Sequence, residues 1–299
     1  MMFQRNKMRA FSDKSMKSLF LIGGIGTILI LLLICFFLFT EAADFLKTQS
    51  LFGFLAGTEW KPGSSQSQFG LVPLFFGSII VTFGAIVISV PIGILSAIYI
   101  AELAGKKTAE VLKIIVELLA GIPSVVLGFF GLVLFVPYIQ RMFDLTTGQT
   151  ALTGSIILAI MALPTIVSVS EDAISSVPSA LKHGSYALGS NHWQTIYRVI
   201  VPAAFSGISA AVILGIGRAI GETMAVMMVT GNMAIIPWSN PFFSPVRTIT
   251  ATIALEMGEV SKGTEHYYAL FAVGVVLFIT TFGVNLIADI IKRRHRLEA

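Results

Sequence analysis

The chain has 299 residues, of which 55% are hydrophobic and only 12% are charged. A soluble domain typically has about 25% charged residues, so this chain has too few polar side chains to cover one water-facing globule. The mean hydropathy of +0.86 also excludes a disordered chain, which leaves an integral membrane protein. The single cysteine, Cys35, excludes an intrachain disulfide and a thiolate metal cluster.

Six apolar segments are long enough to cross a bilayer, whose ~30 Å hydrocarbon layer needs roughly 20 helical residues. They are residues 19–40, 69–101, 118–140, 145–170, 203–230 and 267–288. Apolar residues 114–116 extend the third segment across Glu117. Prolines inside these segments are tolerated, because neighbouring helices and waters satisfy the freed backbone groups. The pattern predicts an all-α integral membrane protein with six transmembrane helices.

The positions of Lys and Arg predict the orientation of these helices. Fourteen of the 20 precede the first span, follow the second, fourth or sixth span, and therefore share one side. Five lie on the opposite side, and Arg218 lies within a span. Both termini are therefore predicted to be cytoplasmic. Topology accounts for the net charge of +4, so no nucleic-acid partner is expected.

The spans divide the chain into a tail, an anchor, a loop and a core. The predicted segments are a cytoplasmic N-terminal tail (1–18), a first transmembrane helix (19–40), an outer loop (41–68), a core of five transmembrane helices (69–291) and a basic cytoplasmic tail (292–299). The Gly-, Ser- and Gln-rich end of the outer loop predicts a flexible connector. A second outer loop, residues 231–266, is predicted to be irregular in part because it holds three prolines.

Motifs that would indicate an enzyme are absent from the sequence. Residues 105–108 (Gly-Lys-Lys-Thr) lack the first glycine and the residue order of a phosphate-binding P-loop. Neither H-E-x-x-H nor G-x-S-x-G occurs. No two histidines are three or four residues apart, so a helical zinc site is not expected. The interior of the predicted spans holds no catalytic cluster.

Arg218 and Glu222 place two charges inside the fifth predicted span. Because they are four residues apart, they are predicted to share one helix face, with Arg218 near mid-membrane. A charge there costs at least ~2.5–3.5 kcal/mol, so it should face the bundle interior or a water-filled path. The guanidinium fork suits an oxyanion. The pair is therefore either an anion site, where Glu222 neutralises Arg218 when empty, or a fixed ion pair between helices.

The longest polar stretch between spans on the predicted cytoplasmic side is residues 171–202. It predicts a short helix that follows Pro178 and is capped by Ser179, and then a turn at Gly189 and Asn191. This helix is too polar to cross a membrane and too short to fold alone. The loop is therefore either a simple connection or a docking surface for a soluble partner.

This loop resembles the cytoplasmic loop of ABC importer permeases, which carries E-A-A, a glycine and, after nine further residues, I-x-L-P. Nine residues separate Gly189 from residues 199–202 (Val-Ile-Val-Pro), so the glycine and proline spacing matches. Residues 183–185 (His-Gly-Ser) depart from E-A-A. Three other segments resemble the PstC family of phosphate permease subunits. They are TEWKP at 58–62, AGIPSVV at 120–126 and GRAIGETMAV at 217–226.

The resemblance implies a type I ABC importer permease fold in a bacterial plasma (inner) membrane, and a chain that is not an enzyme. It implies three protein partners: a second, PstA-like permease, a PstB-like ATPase dimer and an extracytoplasmic PstS-like phosphate-binding protein. ATP and Mg would bind the ATPase, so no cofactor is expected on this chain. Phosphate would pass Arg218 and Glu222 between the two permeases. The ATPase would contact the loop at residues that include Pro178, Tyr186, Leu188, Gly189 and Pro202.

Other functions remain open on the sequence alone. The same machine could carry another oxyanion, such as phosphonate, sulfate or molybdate, since an arginine suits all of them. A self-sufficient secondary transporter or channel would need a coupling-ion site or a pore within this chain. An intramembrane enzyme would need the catalytic groups that the sequence lacks.

Overall fold

The computed structural model describes residues 2–64 and 67–296, and its regular structure is almost entirely helical. The helices are α1 (Met2–Thr48), α2 (Leu51–Ala56), α3 (Val72–Ile98), α4 (Lys106–Ala120), α5 (Ser124–Phe130), α6 (Val136–Met142), α7 (Ala151–Ser175), α8 (Ser179–Ala187), α9 (His192–Thr195), α10 (Val201–Ala203), α11 (Phe205–Gly221), α12 (Met224–Val229), α13 (Ile249–Glu256) and α14 (Glu265–Arg296). π-Helical segments at Tyr99–Leu103, Gly131–Phe135 and Ile196–Ile200 continue α3, α5 and α9. A hairpin pairs β1 (Trp60–Lys61) with β2 (Gln68–Phe69).

Five helices in the described part of the chain are long and apolar enough to cross a membrane. They are Met16–Thr48, Val72–Leu103, Ser124–Met142, Ala151–Ser175 and Glu265–Ile287. A sixth span forms if His192–Ala203 and Phe205–Gly221, which are bent by 68° at their junction, act together. The predicted all-α membrane architecture is confirmed, with a bend in its fifth span.

Helix α1 is longer than the predicted span at residues 19–40, because it begins at Met2 and continues to Thr48. It packs on α14 through edge-on ring pairs, such as Phe37 with Phe271 at 5.5 Å between ring centres. Most of its other apolar side chains are exposed on this chain, as expected of a helix surrounded by lipid. The side chains of the predicted basic tail, residues 292–299, lie outside the described residues.

The outer loop at 41–68 is more ordered than the flexible connector that its composition predicts. Trp60 and Phe69 are opposite each other in the hairpin and are both buried, with their rings edge-on at 5.7 Å. They belong to an apolar cluster with Phe45 and Leu270, so the hairpin is packed against α1 and α14. Burial of these aromatic side chains provides the ordering energy that a Ser- and Gly-rich segment lacks. Residues 65–66 of the predicted connector lie outside the described residues.

A polar cluster centred on Glu256 joins the two predicted outer loops. The Glu256 carboxylate accepts hydrogen bonds from Trp60 Nε1 at 3.1 Å and from Arg247 Nη1 at 2.6 Å. His266 Nε2, at the start of α14, lies 2.8 Å from the same carboxylate. Arg247 Nε also donates to the carbonyl of Asn232 at 2.7 Å. One carboxylate therefore holds the hairpin, the second outer loop and α14 together.

Helix α7 lies at the centre of the bundle, between α3 and α11. Glycines permit this close packing: a Cβ added at Gly93 of α3 would lie 2.6 Å from Ile166 Cγ2 of α7. Gly215 of α11 faces the same isoleucine, again with 2.6 Å between its added Cβ and Ile166 Cγ1. The span begins at Ala151 rather than at residue 145, because the Thr150 hydroxyl caps it by accepting from Thr153 N at 3.3 Å.

The third predicted span, 118–140 with its extension across Glu117, is wrong at its start. Helix α4 ends at Ala120, and a new helix begins at Ser124 after Pro123. The helical conformation is disfavoured for Ile122 because it precedes a proline, and Pro123 has no N–H to continue the helix. The spanning segment is therefore Ser124–Met142, and α4 is a separate amphipathic helix.

An ion pair fixes α4 to the C-terminal end of α7. Lys113 Nζ lies 2.5 Å from Glu171 Oε2 and 3.5 Å from Asp172 Oδ1. The hydrogen bond to Glu171 raises the pKa of Lys113 above its ordinary value, so the lysine stays charged at neutral pH. Lys113 thus pairs with α7, whereas its neighbour Glu117 on α4 is exposed.

Candidate functional site

Arg218 and Glu222 lie on either side of a break in the fifth span. Helix α11 ends at Gly221, Glu222 has an extended backbone (φ −71°, ψ 133°), and α12 begins at Met224. The prediction that the two charges share one helix face is therefore wrong, as is a continuous span over 203–230. The run contains no proline after residue 202, so its apolar pattern does not reveal the break.

Side chains from three places satisfy the backbone groups that this break frees. Thr250 Oγ1 of α13 donates to the Glu222 carbonyl at 2.9 Å, and Thr223 Oγ1 donates to the Gly221 carbonyl at 3.3 Å. Glu222 Oε1 accepts from Ala225 N, in the first turn of α12, at 3.2 Å. Non-helical backbone at membrane depth is tolerated where protein groups satisfy it in this way. The Glu222 carboxylate therefore holds the start of α12.

The Arg218 guanidinium is exposed on the surface of this chain, in the last turn of α11. None of the ion pairs among the described residues includes Arg218. A fixed Arg218–Glu222 pair, one of the two alternatives from the sequence, is thus not formed. Ala211 and Gly215, seven and three residues before Arg218, are buried in the bundle, so Arg218 lies at the edge of the buried face of α11. The negative end of the helix dipole favours a cation in this last turn.

The predicted cytoplasmic loop at 171–202 folds into two short helices joined by a tight turn. Helix α8 begins at Ser179 as predicted, but Pro178 occupies the cap position without a side-chain hydrogen bond, so the predicted cap is wrong. Gly189 has φ +84°, a left-handed conformation that other residues rarely adopt, which confirms the predicted turn. Asn191 then caps α9, accepting from Gln194 N at 2.8 Å in a reciprocal capping box.

The turn between α8 and α9 presents large apolar side chains to the surroundings. Leu188 is 88% exposed, and Tyr186 is also exposed while its hydroxyl lies 2.8 Å from His192 Nδ1. Trp193 and Tyr197, which sequence reasoning missed, extend this surface. The sequence signal that could have revealed them is the presence of large aromatic residues in an otherwise polar loop. An exposed apolar patch of this kind is typical of a surface that contacts another protein or the membrane.

The other predicted loop residues occupy different positions. Pro178 and Gly189 are exposed at the two ends of α8, beside the patch. Pro202 is exposed in α10, next to the 68° bend that leads into α11. It is therefore placed at the junction between the loop and the span that carries Arg218.

Two further polar residues, which sequence reasoning also missed, attach the loop to α3. Lys182 Nζ of α8 lies 2.5 Å from Glu102 Oε1 in the π-helical end of α3. His192 Nε2 of α9 lies 3.2 Å from the Glu102 carbonyl. The exposed patch and the anchored face thus lie on one small folded unit.

The model of the family described as "Binding-protein-dependent transport system inner membrane component" matches residues 89–297, more than half of the chain. The chain belongs to this family of ABC importer permeases. Membership decides between the function classes that the sequence left open: the chain is a non-catalytic, multi-pass subunit of an ATP-driven importer, not an enzyme. The family works with an ATPase and a substrate-binding protein.

Several curated proteins are similar over most of their length. The probable ABC transporter permease YqgH of Bacillus subtilis is 42% identical over 244 residues, covering 82% of this chain and 78% of the relative. The phosphate transport system permease PstC of Mesorhizobium japonicum is 38% identical over 256 residues (79% and 77% covered). PstC 1 of Mycobacterium tuberculosis is 33% identical over 310 residues, with 91% of each chain covered. The predicted relationship to this family is confirmed.

Solved structures support the fold. A permease from an inward-facing structure of the MetNI methionine transporter superposes with a TM-score of 0.56 at 20% identity, covering 75% of this chain and 94% of the other. A chain of a bacterial alginate transporter gives 0.54 at 18% identity, covering 78% and 80%. The chain therefore has the type I ABC importer permease fold.

Proposed function

We propose that this chain imports inorganic phosphate, as one of two permease subunits that enclose the translocation path. The observation that supports this proposal is the Arg218 guanidinium, which is exposed and in no ion pair among the described residues, on a helix with one side buried in the bundle. An arginine that is exposed on a predicted membrane-spanning segment and not paired within its own chain needs an anion or a partner subunit to shield it from lipid. Relatives named as phosphate permeases support phosphate as that anion.

The partners follow from the same proposal. A PstA-like permease covers the face that carries Arg218, and a PstS-like protein delivers phosphate at the outer loops. A PstB-like ATPase dimer, which binds ATP and Mg, docks on the apolar patch of Tyr186, Leu188, Trp193 and Tyr197. Both termini then lie in the cytoplasm, in agreement with the distribution of cations along the sequence.

Glu222 has a structural part in this site rather than the neutralising part expected from the sequence. Its carboxylate caps α12 at the break that follows α11. Oxygen-rich anions such as sulfate, phosphonate or molybdate would also bind a guanidinium, so Arg218 alone does not select phosphate.

The test is labelled phosphate uptake by vesicles containing the assembled complex with Arg218→Ala. A charge-assisted hydrogen bond is worth about 1.5–3 kcal/mol, so we expect uptake to fall by about 10- to 150-fold. Arg141→Ala is the matched control, because Arg141 is also exposed in the last turn of a helix. Normal uptake by a normally assembled Arg218→Ala complex would refute the anion site. Competition by unlabelled sulfate, phosphonate and molybdate identifies the preferred anion.

A further inference from the structure

A partly buried ion pair connects the loop at 171–202 to α3. Lys182 Nζ and Glu102 Oε1 are 2.5 Å apart, although 80 residues separate them in the sequence. The two side chains are only 22% and 8% exposed. Separating the two side chains would leave each with an uncompensated charge at a poorly solvated position. The pair therefore resists movement of α8 relative to the end of α3, whereas the apolar contacts beside it resist such movement less.

A second hydrogen bond reinforces this contact at the same residue. The Glu102 carbonyl can only accept, so His192 Nε2 carries the hydrogen that it donates over 3.2 Å. In the neutral ring Nδ1 is then an acceptor, and the Tyr186 hydroxyl donates to it at 2.8 Å. Tyr186 belongs to the exposed patch. A chain of hydrogen bonds thus leads from the patch to the backbone of α3.

The two loop helices behave as one body. Ser185 of α8 and Thr195 of α9 are buried and share a hydrogen bond of 3.0 Å. Asn191 and Gln194 close the turn with two further bonds at the start of α9. A force applied to the patch therefore moves α8 and α9 as one unit, which includes Lys182 and His192.

The end of α3 that contacts the loop also has a defined structure. Glu102 lies in the π-helical segment Tyr99–Leu103, after which Ala104 adopts an extended backbone and the helix stops. Helix α3 packs along α7, where Gly84 and Gly93 bring the backbones close. α3 is thus a stiff element attached to the loop at one end and to the bundle along its length.

We infer that the Lys182–Glu102 pair is the joint that makes α3 follow the loop when the ATPase moves it. The inference rests on the proposed function, because it takes the patch as the ATPase docking surface. Lys182 and Glu102 are positioning residues and contact neither phosphate nor ATP. Apolar contacts around the joint are non-directional and permit sliding, whereas a buried ion pair with fixed geometry does not.

The test uses the complete transporter in vesicles, with Lys182→Met, Glu102→Gln and the exchanged pair Lys182→Glu with Glu102→Lys. Lys107→Met is the matched control, because Lys107 is an exposed lysine near the same end of α3 and in no ion pair among the described residues. Coupling free energies typically correspond to 5- to 150-fold effects. We expect each single variant to keep the ATPase bound, to lose uptake by about 5- to 150-fold, and to be rescued by the exchange.

A distance measurement tests the joint without using phosphate. Spin labels at two exposed positions, Ala180 of α8 and Val87 of α3, report the separation of the two elements in a Cys35→Ser background. The label-to-label distance in the parent complex should stay constant when ATP and vanadate are added. In Lys182→Met the same addition should change it, because α8 then moves without α3.

Each result has a definite meaning. Full uptake by the single variants, or an identical nucleotide response of the label distance in Lys182→Met and the parent, would overturn the joint. Loss of ATPase binding that the exchanged pair does not restore would also overturn it, since the pair would then only stabilise the loop. A parent complex that takes up no phosphate would refute the proposed function instead, and the distance measurement would still decide whether the joint exists.

Discussion

Replacing Glu256 should destabilise the packing of the β1–β2 hairpin against residues 231–266 and the start of α14. This carboxylate accepts hydrogen bonds from Trp60 and Arg247 and contacts His266, so three chain segments depend on it. Glu256→Ala removes all three contacts and leaves the Arg247 guanidinium without its counter-ion. Glu256→Gln keeps an oxygen acceptor and removes only the charge, so its effect should be smaller.

The magnitude follows from how exposed the partners are. Breaking a fully buried ion pair costs about 3–5 kcal/mol, and breaking an exposed one costs about 0–1 kcal/mol. The Arg247 and Glu256 side chains are 22% and 14% exposed, which is between these limits and closer to burial. We therefore expect Glu256→Ala to lower the free energy of opening the hairpin by about 2–3 kcal/mol.

Trp60 provides a direct assay, because it is only 4% exposed and its indole N–H donates to Glu256. The chain has two other tryptophans, Trp193 and Trp238, and both are exposed, so replacing them with phenylalanine isolates the Trp60 emission. A denaturant titration should show the Trp60 red shift at a lower midpoint in Glu256→Ala. Glu259→Ala is the control, because Glu259 is exposed on the same loop. An unchanged midpoint in Glu256→Ala would refute the clamp.

Two further substitutions test the loop and the break. Gly189→Asp should weaken co-purification of the ATPase and lower uptake, because a left-handed backbone at φ +84° costs a residue with a Cβ about 1–2 kcal/mol; survival of both would refute docking at this turn. Glu222→Ala should lower the free energy of unfolding by about 1 kcal/mol, because it removes the cap on α12. Glu222→Gln should keep the cap, because its amide oxygen can accept the same hydrogen bond. Equal melting temperatures for the two variants would contradict the capping role.

The spans and the loop turn could be predicted from the sequence because both depend on local properties. Long uncharged runs indicate helices in lipid, and Gly189 indicates a left-handed turn whatever surrounds it. Pro123 was also a visible signal for a helix start. Because membrane bundles tolerate prolines, the sequence alone is also compatible with Pro123 inside a continuous span, whereas the structure has a break there.

The contacts that define the two candidate sites depend on tertiary structure and could not be predicted. The break after Gly221 is stabilised by Thr250, which is 28 residues after its hydrogen-bond partner Glu222. The Lys182–Glu102 pair joins residues 80 apart, and only the packed arrangement of α3 beside the loop brings them together. A four-residue spacing indicates a shared helix face only where the helix continues, which is why Arg218 and Glu222 were misplaced relative to each other.

The most direct test of the central claim is labelled phosphate uptake by vesicles that hold this chain, its partner permease and the ATPase. ATP is enclosed, and phosphate with the binding protein is supplied outside. We predict uptake that requires ATP, the binding protein and every subunit. Uptake by this chain alone, or ATP-driven uptake of another oxyanion with no uptake of phosphate, would contradict the account.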